Sequence, residues 1–539
     1  MSILPDQQQL ADLEQLRGVD FLFISRPEEH ELKIQGRFYN PWIDPYIELI
    51  KDHHSCLKAG FFTKAAAATS PRCVPTVHLK TDQSPFYYPL GENYVTNFEH
   101  LRKLVRSLCD VELDEAPVIE MANIIEQYRL YFLDLLSVLQ PKAVPLVCWY
   151  GTPAMGLIWA CRDLNITSVD LQHGYHTGHL FYEQWSSIPP EGYELLPDVF
   201  YVWSRTFKDG IENTHSDCCS RHFAVVGNHA WLRKVTQHEP SIDGIDQNFL
   251  QQLAQRPKVI LVTLQPWIPL PDYLLDAIKR LPHDWLWLIR CHPGHEYMAK
   301  DVSELLRSRS ISNYEIENAT RYPLFKLLQY SHHHLTASSS SCLEALLFGV
   351  PTTFFSYEAY ERYNEHIDKG FFNCVPSSAD DLMRSLLRDY NRTTLKSLSQ
   401  HFFDMDHHTG QRAWQDIFHH ACKKPFQPLT CNLRALVNNW AGEQFFRIGD
   451  LEKALYCFWN AAKTDPNSTE YYNNCAAVCS HLGKAAHAAN CIEKALQIDP
   501  DDPRTLRNLY ELRNAGVNVD SHHATNDSLP DQCQCIKTL

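Results

Sequence analysis

The sequence predicts an α/β protein in which two Rossmann-like domains face a cleft and a small all-α segment of helical repeats follows. Three observations support this prediction. Apolar runs alternate with helical patterns over residues 226–425, which indicates a parallel, doubly wound sheet. A strand, a tight turn, a helix and a second strand follow one another between residues 144 and 171. Small residues and prolines recur 34 positions apart near the C-terminus, where Pro466 is matched by Pro500.

Length and composition bound the classes of protein to consider. The chain has 539 residues and a mass of 62.4 kDa, and at roughly 100–200 residues per domain it accommodates about three domains. It carries 49 Lys and Arg against 64 Asp and Glu, a net charge of −15. This acidic balance disfavours binding to nucleic-acid phosphates. The 18 cysteines are scattered without a disulfide spacing and are interpreted as reduced thiols.

Neither a secretory leader nor a membrane span is predicted. The first 16 residues contain Asp and Gln where a signal peptide requires an apolar stretch. The uncharged residues 143–161 approach the length of a span, but Pro145, Gly151 and Pro153 interrupt them. We therefore expect a cytoplasmic protein without a transmembrane segment, with peripheral association at the inner membrane left open.

The first predicted domain, residues 1–225, is the acceptor-side Rossmann-like half. Its first strand is expected at residues 19–25, and residues 37–97, rich in aromatic residues and proline, are left unassigned. The pattern that defines the fold consists of a strand at residues 144–150, a helix at 152–164 and a strand at 167–171.

The second predicted domain, residues 226–425, is the C-terminal Rossmann-like half. Its alternation of strands and helices is the most regular in the chain. Strands are predicted at residues 259–264, 285–291, 314–316, 334–337 and 352–355, and helices at 272–281, 303–307, 323–330 and 341–348.

The last predicted segment, residues 433–516, matches the spacing of tetratricopeptide-repeat helices. Pro466 and Pro500 end the second helix of each unit, and residues 504–515 are expected to form a capping helix. Two repeats rarely stand alone, so this segment is expected to pack on the rest of the protein. Residues 517–539 are polar and are expected to form a flexible tail.

Four consecutive serines lie between a predicted strand and the helix that follows it: Ser338, Ser339, Ser340 and Ser341. Ligands of open parallel sheets bind at the carboxyl ends of strands, and hydroxyls with free backbone N–H groups at a helix start suit a phosphate. A plain helix cap, the alternative, requires one serine. Glu344, one turn into the helix, is a candidate acceptor of hydrogen bonds from a ribose or sugar hydroxyl.

Arg290, Cys291, His292 and Pro293 follow another predicted strand. His292 is expected at the rim of the same sheet, where an imidazole can neutralise charge on a leaving phosphate. Arg290 is assigned to the donor side with the serines.

Gln172, His173 and Gly174 follow the strand at residues 167–171. Gly174 permits a sharp turn that presents His173 to the cleft, where it is a plausible general base for an acceptor hydroxyl. Gln172, Gly174, Tyr175 and His179 are assigned to the acceptor side. A hydrogen-bonded turn histidine is the alternative role of His173.

His332, His333 and His334 are not predicted to bind a metal, because consecutive residues of a strand point to alternate faces. The sequence also contains no Walker loop, no Gly-x-Gly-x-x-Gly after a strand and no Gly-x-Ser-x-Gly elbow, which disfavours ATPases, dehydrogenases and α/β-hydrolases.

These motifs together resemble a family. His292-Pro293 and Ser339-Ser340, with Glu344 four residues on, resemble the HP and SS motifs of bacterial GT-B type glycosyltransferases, of which CMP-sugar sialyl- and Kdo-transferases are nearest. Gln172-His173-Gly174 is similar to the His-Gly motif of CDP-glycerol glycerophosphotransferases, whose His acts as base. The resemblance covers roughly residues 140–360.

The resemblance implies that His292, Ser339 and Ser340 bind the donor phosphate and that Glu344 binds the donor ribose or base, with no metal and no cofactor required. The CMP-sialic acid enzymes usually present an Asp base, for which this chain shows no clear equivalent. His173 is the expected substitute, and the donor nucleotide stays open.

The expected function is therefore transfer of a sugar from a CMP- or other NDP-sugar to a hydroxyl of a surface-glycan or protein acceptor. The expected partners are the donor, the acceptor and a protein docked on the repeats, with no nucleic acid. Two alternatives stay open: a sugar-nucleotide epimerase of the same architecture, and a non-catalytic tetratricopeptide scaffold.

Overall fold

The structure is a computed structural model. It describes residues 14–25, 32–61, 70–79, 97–176, 182, 188–214, 221–238, 240–266, 268–447 and 449–514. His179 and the predicted tail at residues 517–539 lie outside this set.

The first domain is built on a parallel sheet which, within the described residues, has seven strands in the order β5-β4-β1-β6-β7-β8-β9. Strands β1, β6 and β8 are almost wholly apolar, as expected for a parallel sheet covered on both faces. A short antiparallel pair, β2 and β3, lies apart from it. The strands are β1 (Phe21–Ser25), β2 (Leu32–Ile34), β3 (Arg37–Tyr39), β4 (Cys56–Phe61), β5 (Thr76–Leu79), β6 (Ala143–Val147), β7 (Thr167–Leu171), β8 (Val199–Val202) and β9 (Phe223–Val226).

The helices of this domain include a closely packed pair, α3 and α4. A β-carbon on Gly156 of α4 would lie 2.5 Å from Cβ of Tyr128 in α3, so only glycine allows this approach. The helices are α1 (Asp44–Ile50), α2 (Phe98–Cys109), α3 (Glu115–Leu139), α4 (Thr152–Asp163), α5 (Arg205–Thr214) and α6 (Ala230–Gln237).

The second domain has its own parallel sheet, with six strands in the described part of the chain, in the order β12-β11-β10-β13-β14-β15. The α/β fold class and the two Rossmann-like halves are as predicted. The strands are β10 (Val259–Thr263), β11 (Leu286–Arg290), β12 (Tyr314–Glu315), β13 (His333–Thr336), β14 (Thr352–Phe354) and β15 (Asn373–Cys374).

The second-domain helices surround this sheet. The helix predicted at residues 303–307 begins earlier, at Met298. The helices are α7 (Gln247–Ala254), α8 (Asp272–Arg280), α9 (Met298–Ser308), α10 (Glu317–Arg321), α11 (Leu324–Tyr330), α12 (Ser341–Leu347), α13 (Glu358–Asp368), α14 (Ala379–Leu387) and α15 (Arg392–Leu398).

Helix α16 (His407–Cys422) lies within the range 226–425 predicted for the second domain, but it packs on the first. The chain returns here to the first domain, where Trp414 is fully buried among Phe21, Phe23 and Tyr201. Large apolar side chains complete the core of the first sheet, and a helical pattern alone does not indicate which of two sheets a helix covers.

The two crossings between the domains lie side by side. Asn228 Nδ2 donates to Asp406 O at 2.9 Å, and Asp404 N donates to Trp203 O at 2.7 Å. Residues 227–240 and 399–406 therefore form a paired connection on one side of the cleft.

The C-terminal helices pair as two hairpins with a final helix, and α17 packs on α3 of the first domain. A β-carbon on Gly442 would lie 2.6 Å from the ring of Phe458, so α17 and α18 approach closely. The assignment to tetratricopeptide repeats stays a prediction. The helices are α17 (Cys431–Arg447), α18 (Leu451–Thr464), α19 (Thr469–His481), α20 (Ala485–Ile498) and α21 (Pro503–Asn514).

Among the described helices, none combines the length and apolar character needed to cross a bilayer.

Candidate functional site

A cleft of about 1670 Å³ separates the two domains and is lined by both. It lies at the carboxyl ends of strands β7, β10, β11 and β13, where open parallel sheets bind ligands. Most of the residues singled out from the sequence line it: His173, Gly174, Tyr175, Arg290, His292, Ser339, Ser340, Ser341 and Glu344.

Two loops meet across this cleft. The histidine loop (residues 172–176) follows β7 of the first domain, and the serine turn (residues 338–341) follows β13 of the second. A β-carbon placed on Gly174 would lie 3.3 Å from Oγ of Ser340. Sequence motifs some 165 residues apart are thus brought into contact distance.

A strained turn after β6 positions His173. Cys148 has a left-handed backbone conformation, with φ of +64°, which is costly for a residue with a side chain. The turn is held by buried Asp170, whose Oδ1 accepts a hydrogen bond from Trp149 N at 3.2 Å. It brings the Tyr150 hydroxyl to 3.1 Å from His173 Nε2.

Asp170 lies behind the site rather than in it. Its other oxygen accepts a hydrogen bond from the Tyr182 hydroxyl at 3.1 Å, and the Tyr182 ring stacks on His176 with ring centroids 3.5 Å apart. Burial raises the pKa of Asp170 to about 8, against the opposing effect of these hydrogen bonds. The carboxyl group is therefore protonated more readily than an exposed one.

Gln172 and Tyr175 make contacts that hold the histidine loop, and their acceptor-side role stays a prediction. Gln172 is buried; its amide donates to Gly174 O and its oxygen accepts from Trp203 N, both at 2.8 Å. Tyr175 is 2% exposed, and its hydroxyl lies 3.2 Å from His366 Nδ1.

Helix α13 ties the two loops together. Arg362 donates to Tyr175 O at 2.7 Å, and Tyr363 donates to Ser338 O at 3.2 Å while its ring lies 4.5 Å from that of Tyr175. Burial lowers the pKa of His366 to about 4, so this imidazole stays neutral at physiological pH. The sequence carried no motif for α13.

The four serines of the serine turn divide into two pairs. Ser338 and Ser341 are buried; Ser341 Oγ lies 3.0 Å from Thr263 Oγ1 and 3.3 Å from His334 Nε2. They brace the turn, and their role in donor binding stays a prediction. Ser339 and Ser340 are half-buried and line the cleft. Ser340 is the N-cap residue of α12, yet its hydroxyl does not cap the helix.

Arg290 is also engaged by the protein itself, and its donor-binding role stays a prediction. Its guanidinium donates to Ala319 O at 2.7 Å, to Thr320 O at 3.0 Å and to Tyr322 O. Burial lowers its pKa to about 10, and nearby Glu344 opposes this change. Burial raises the pKa of Glu344 to about 7, and the positive charge of Arg290 opposes this rise.

His292 lies exposed at the rim of the cleft, as the strand pattern predicted. Its Nδ1 lies 2.6 Å from Pro293 O, and its ring centroid is 5.7 Å from that of His295. Gly294, with φ of +82°, makes the turn that keeps His292 at the cleft.

The three consecutive histidines are engaged separately, each by its own neighbour. Val259 N donates to His332 Nδ1, His333 Nε2 lies 2.8 Å from Thr353 Oγ1, and His334 Nδ1 lies 3.0 Å from Thr352 Oγ1. Within the described ranges, no group of three His, Cys, Asp or Glu side chains is arranged to hold a metal ion.

Sequence reasoning missed three groups of the cleft. Tyr150 and Thr263 each lie at or just after the end of a strand, so the rule that found His173 extends to them. Arg362 belongs to a helix on the far side of the serine turn and carries no such pattern.

Comparisons with solved structures returned nucleotide-sugar enzymes. A UDP-N-acetylglucosamine 2-epimerase is 15% identical over 77% of this chain and 99% of its own, with a TM-score of 0.48. The Neisseria meningitidis UDP-GlcNAc 2-epimerase bound to UDP-GlcNAc is 16% identical over 75% and 100%, with a TM-score of 0.44. An Anabaena protein in complex with UDP and glucose is 11% identical over 74% and 99%, with a TM-score of 0.40.

No protein-family model matches the chain, and no curated protein matches its sequence. The chemistry of this chain is accordingly argued from the residues of its own cleft.

Proposed function

We propose that this protein is a glycosyltransferase that moves a sugar from a nucleotide-activated donor to a hydroxyl of a glycan or protein acceptor. One observation carries the proposal: the histidine loop and the serine turn meet at one cleft, where a β-carbon placed on Gly174 would lie 3.3 Å from Ser340 Oγ. A proton acceptor and a set of hydroxyl donors are thus placed on opposite sides of the same space.

The second domain supplies the donor side. Ser339 and Ser340 present hydroxyls to the cleft, and the uncapped Ser340 side chain is available to a phosphate oxygen. His292 at the rim adds an imidazole that can balance charge on the departing phosphate. Glu344, whose pKa is raised to about 7 by burial, is assigned to a ribose or sugar hydroxyl.

The first domain supplies the acceptor side. His173 takes the proton of the acceptor hydroxyl as its oxygen forms a bond to the anomeric carbon. The bond from that carbon to the donor phosphate breaks, and its electron pair leaves on the phosphate oxygen. Tyr150, 3.1 Å from His173 Nε2, orients the imidazole.

The C-terminal helices are proposed to dock a protein partner or a protein acceptor. Their contact with α3 of the first domain supports a role on the proposed acceptor side.

Two measurements test the proposal. A thermal-shift screen with CMP, CDP, UDP and GDP is expected to raise the unfolding midpoint with at least one of them, since a ligand of the folded state stabilises it. Ser339→Ala/Ser340→Ala should abolish most of that shift. A matched pair on the surface, Ser107→Ala/Ser397→Ala, should leave it unchanged, because both hydroxyls are exposed on helices that do not line the cleft.

Incubation of the protein with the bound nucleotide's sugar donor separates the remaining alternatives. Product that forms only when an acceptor is added supports transfer. Interconversion of the donor alone would instead assign an epimerase. Binding of none of the four nucleotides would favour a non-catalytic scaffold and contradict the proposal.

A further inference from the structure

A side pocket opens beside His173 in the first domain and has a volume of about 180 Å³. It lies at the carboxyl ends of β1 and β6, and it shares Trp42 and His173 with the main cleft. Whatever occupies the side pocket is therefore next to the group to which we assign the proton transfer.

The lining of the side pocket is mostly apolar. Its polar members include Ser25, Asn40 and His173, and no Asp, Glu, Lys or Arg of the described residues contributes to it. Such a lining suits a hydrocarbon group more than a phosphate or a free sugar, because an unpaired polar group is costly to bury. Its apolar walls include Ile24, Ile43, Phe132, Leu146, Pro153 and Leu157.

One polar group in the side pocket is available to a ligand. Ser25, at the end of β1, is 2% exposed, and its Oγ has no hydrogen-bond partner among the residues that the structure describes. Buried hydroxyls normally have a partner, so this one indicates a ligand atom. Cavities of about 150 Å³ with apolar walls bind benzene, which sets the size of the group that fits.

We infer that the side pocket binds a phenyl-sized apolar group of the acceptor, bearing one polar atom that pairs with Ser25. That the ligand belongs to an acceptor rests on the proposed function. That the ligand is apolar follows from the lining of the side pocket alone. The acceptor's attacking hydroxyl then lies within a short link of that apolar group, at His173.

The probe for the test is benzyl alcohol, a ring with one hydroxyl, compared with toluene, and binding to the full chain is measured by ligand-observed NMR. Ala154→Leu places three more carbon atoms in the wall and is expected to weaken binding of both probes at least tenfold. The matched control Ala116→Leu, an exposed position near the start of α3, should bind both as the parent does.

Ser25→Ala provides a second variant that removes a single atom, and it decides the outcome if Ala154→Leu does not fold. It should weaken benzyl alcohol binding about threefold to tenfold, the usual contribution of one hydrogen bond, and change toluene binding less than twofold. Equal weakening of both probes, or no weakening of either, would overturn the role of Ser25.

Binding and function fail separately in this design, because the probes are scored without turnover. Nucleotide binding by a protein that ignores benzyl alcohol, or equal binding by Ala154→Leu and the parent, overturns the side pocket alone. Benzyl alcohol binding by a protein that ignores every nucleotide overturns the glycosyltransferase proposal alone.

Discussion

The histidine loop and the serine turn both follow a strand that ends at the cleft, yet they present different groups to it. The histidine loop carries His173, whose Nε2 lies at hydrogen-bond distance from Tyr150 on the turn that the buried carboxyl of Asp170 holds. The serine turn carries uncharged hydroxyls, which are braced by Thr263 and His334. Proton transfer and anion binding are thus assigned to opposite walls of one cleft.

Among the substitutions that test this division of roles, replacement of His173 should have the largest effect on activity. His173→Ala is expected to lower kcat by about 10²–10⁴-fold, the usual contribution of a general base, with nucleotide binding unchanged. The control His283→Ala, at an exposed position, should keep full activity. An unchanged kcat in folded His173→Ala protein would show that His173 is not the general base.

Substitution of Arg290 tests whether its guanidinium stabilises the second domain or binds the nucleotide. Arg290→Gln is expected to lower the free energy of unfolding by about 3 kcal/mol, because three backbone carbonyls lose a buried charged donor. The exposed Arg309, paired with Asp272, serves as control, and Arg309→Gln should change stability by less than about 0.5 kcal/mol. Urea titration measures both. Unchanged stability together with weakened nucleotide binding would show that Arg290 acts in donor binding instead.

Gly174→Val is designed to force the two walls apart. The added side chain meets Ser340, whose Oγ lies 3.3 Å from the β-carbon position, and a misplacement of about 1 Å is expected to lower kcat/KM by about 10–100-fold. Adding Ser340→Ala should restore part of the loss of the Val variant. Two independent, additive effects in this double-mutant cycle would show that the loops do not interact.

The raised pKa of Asp170 predicts a pH dependence of stability. Between pH 4 and 8 the folded state holds a proton that the unfolded state has released, since the folded pKa is about 8. The free energy of unfolding should therefore fall by about 1 kcal/mol per pH unit as pH rises through this window. Asp170→Asn, which keeps the acceptor for Trp149 N, should remove this part of the slope. Equal slopes in urea titrations at pH 5–8 would contradict the prediction.

Tyr175→Phe should have the smallest effect and separates a supporting role from acceptor binding. Loss of the hydroxyl beside His366 Nδ1 is expected to lower the free energy of unfolding by about 1 kcal/mol, with KM for the acceptor unchanged. A raised KM for the acceptor at unchanged stability would show that Tyr175 acts in acceptor binding instead.

The sequence was sufficient to predict the location of residues that follow a strand. It was insufficient to predict which groups a side chain contacts. His173, His292 and Ser340 could be assigned to one cleft because the ends of parallel strands share an edge. The engagement of Arg290 could not be predicted, because the carbonyl groups it contacts lie about 30 residues later and carry no residue-specific pattern. Ser341 was indistinguishable from Ser340 until burial separated them.

The same limit applies to the helix at residues 407–422. Residues 407–422 have a helical pattern that fits either sheet, and only the packing of Trp414 against Phe21 assigns them to the first.

This return of the chain has a consequence during synthesis. The ribosome makes β1 to β9 first, but Trp414, which covers Phe21 and Phe23, follows almost 190 residues after β9. At about 5–20 residues per second, that part of the first core waits roughly 10–40 s for its cover. The second domain, by contrast, can complete its own sheet while it emerges. The nascent first domain is therefore the half expected to need protection from aggregation.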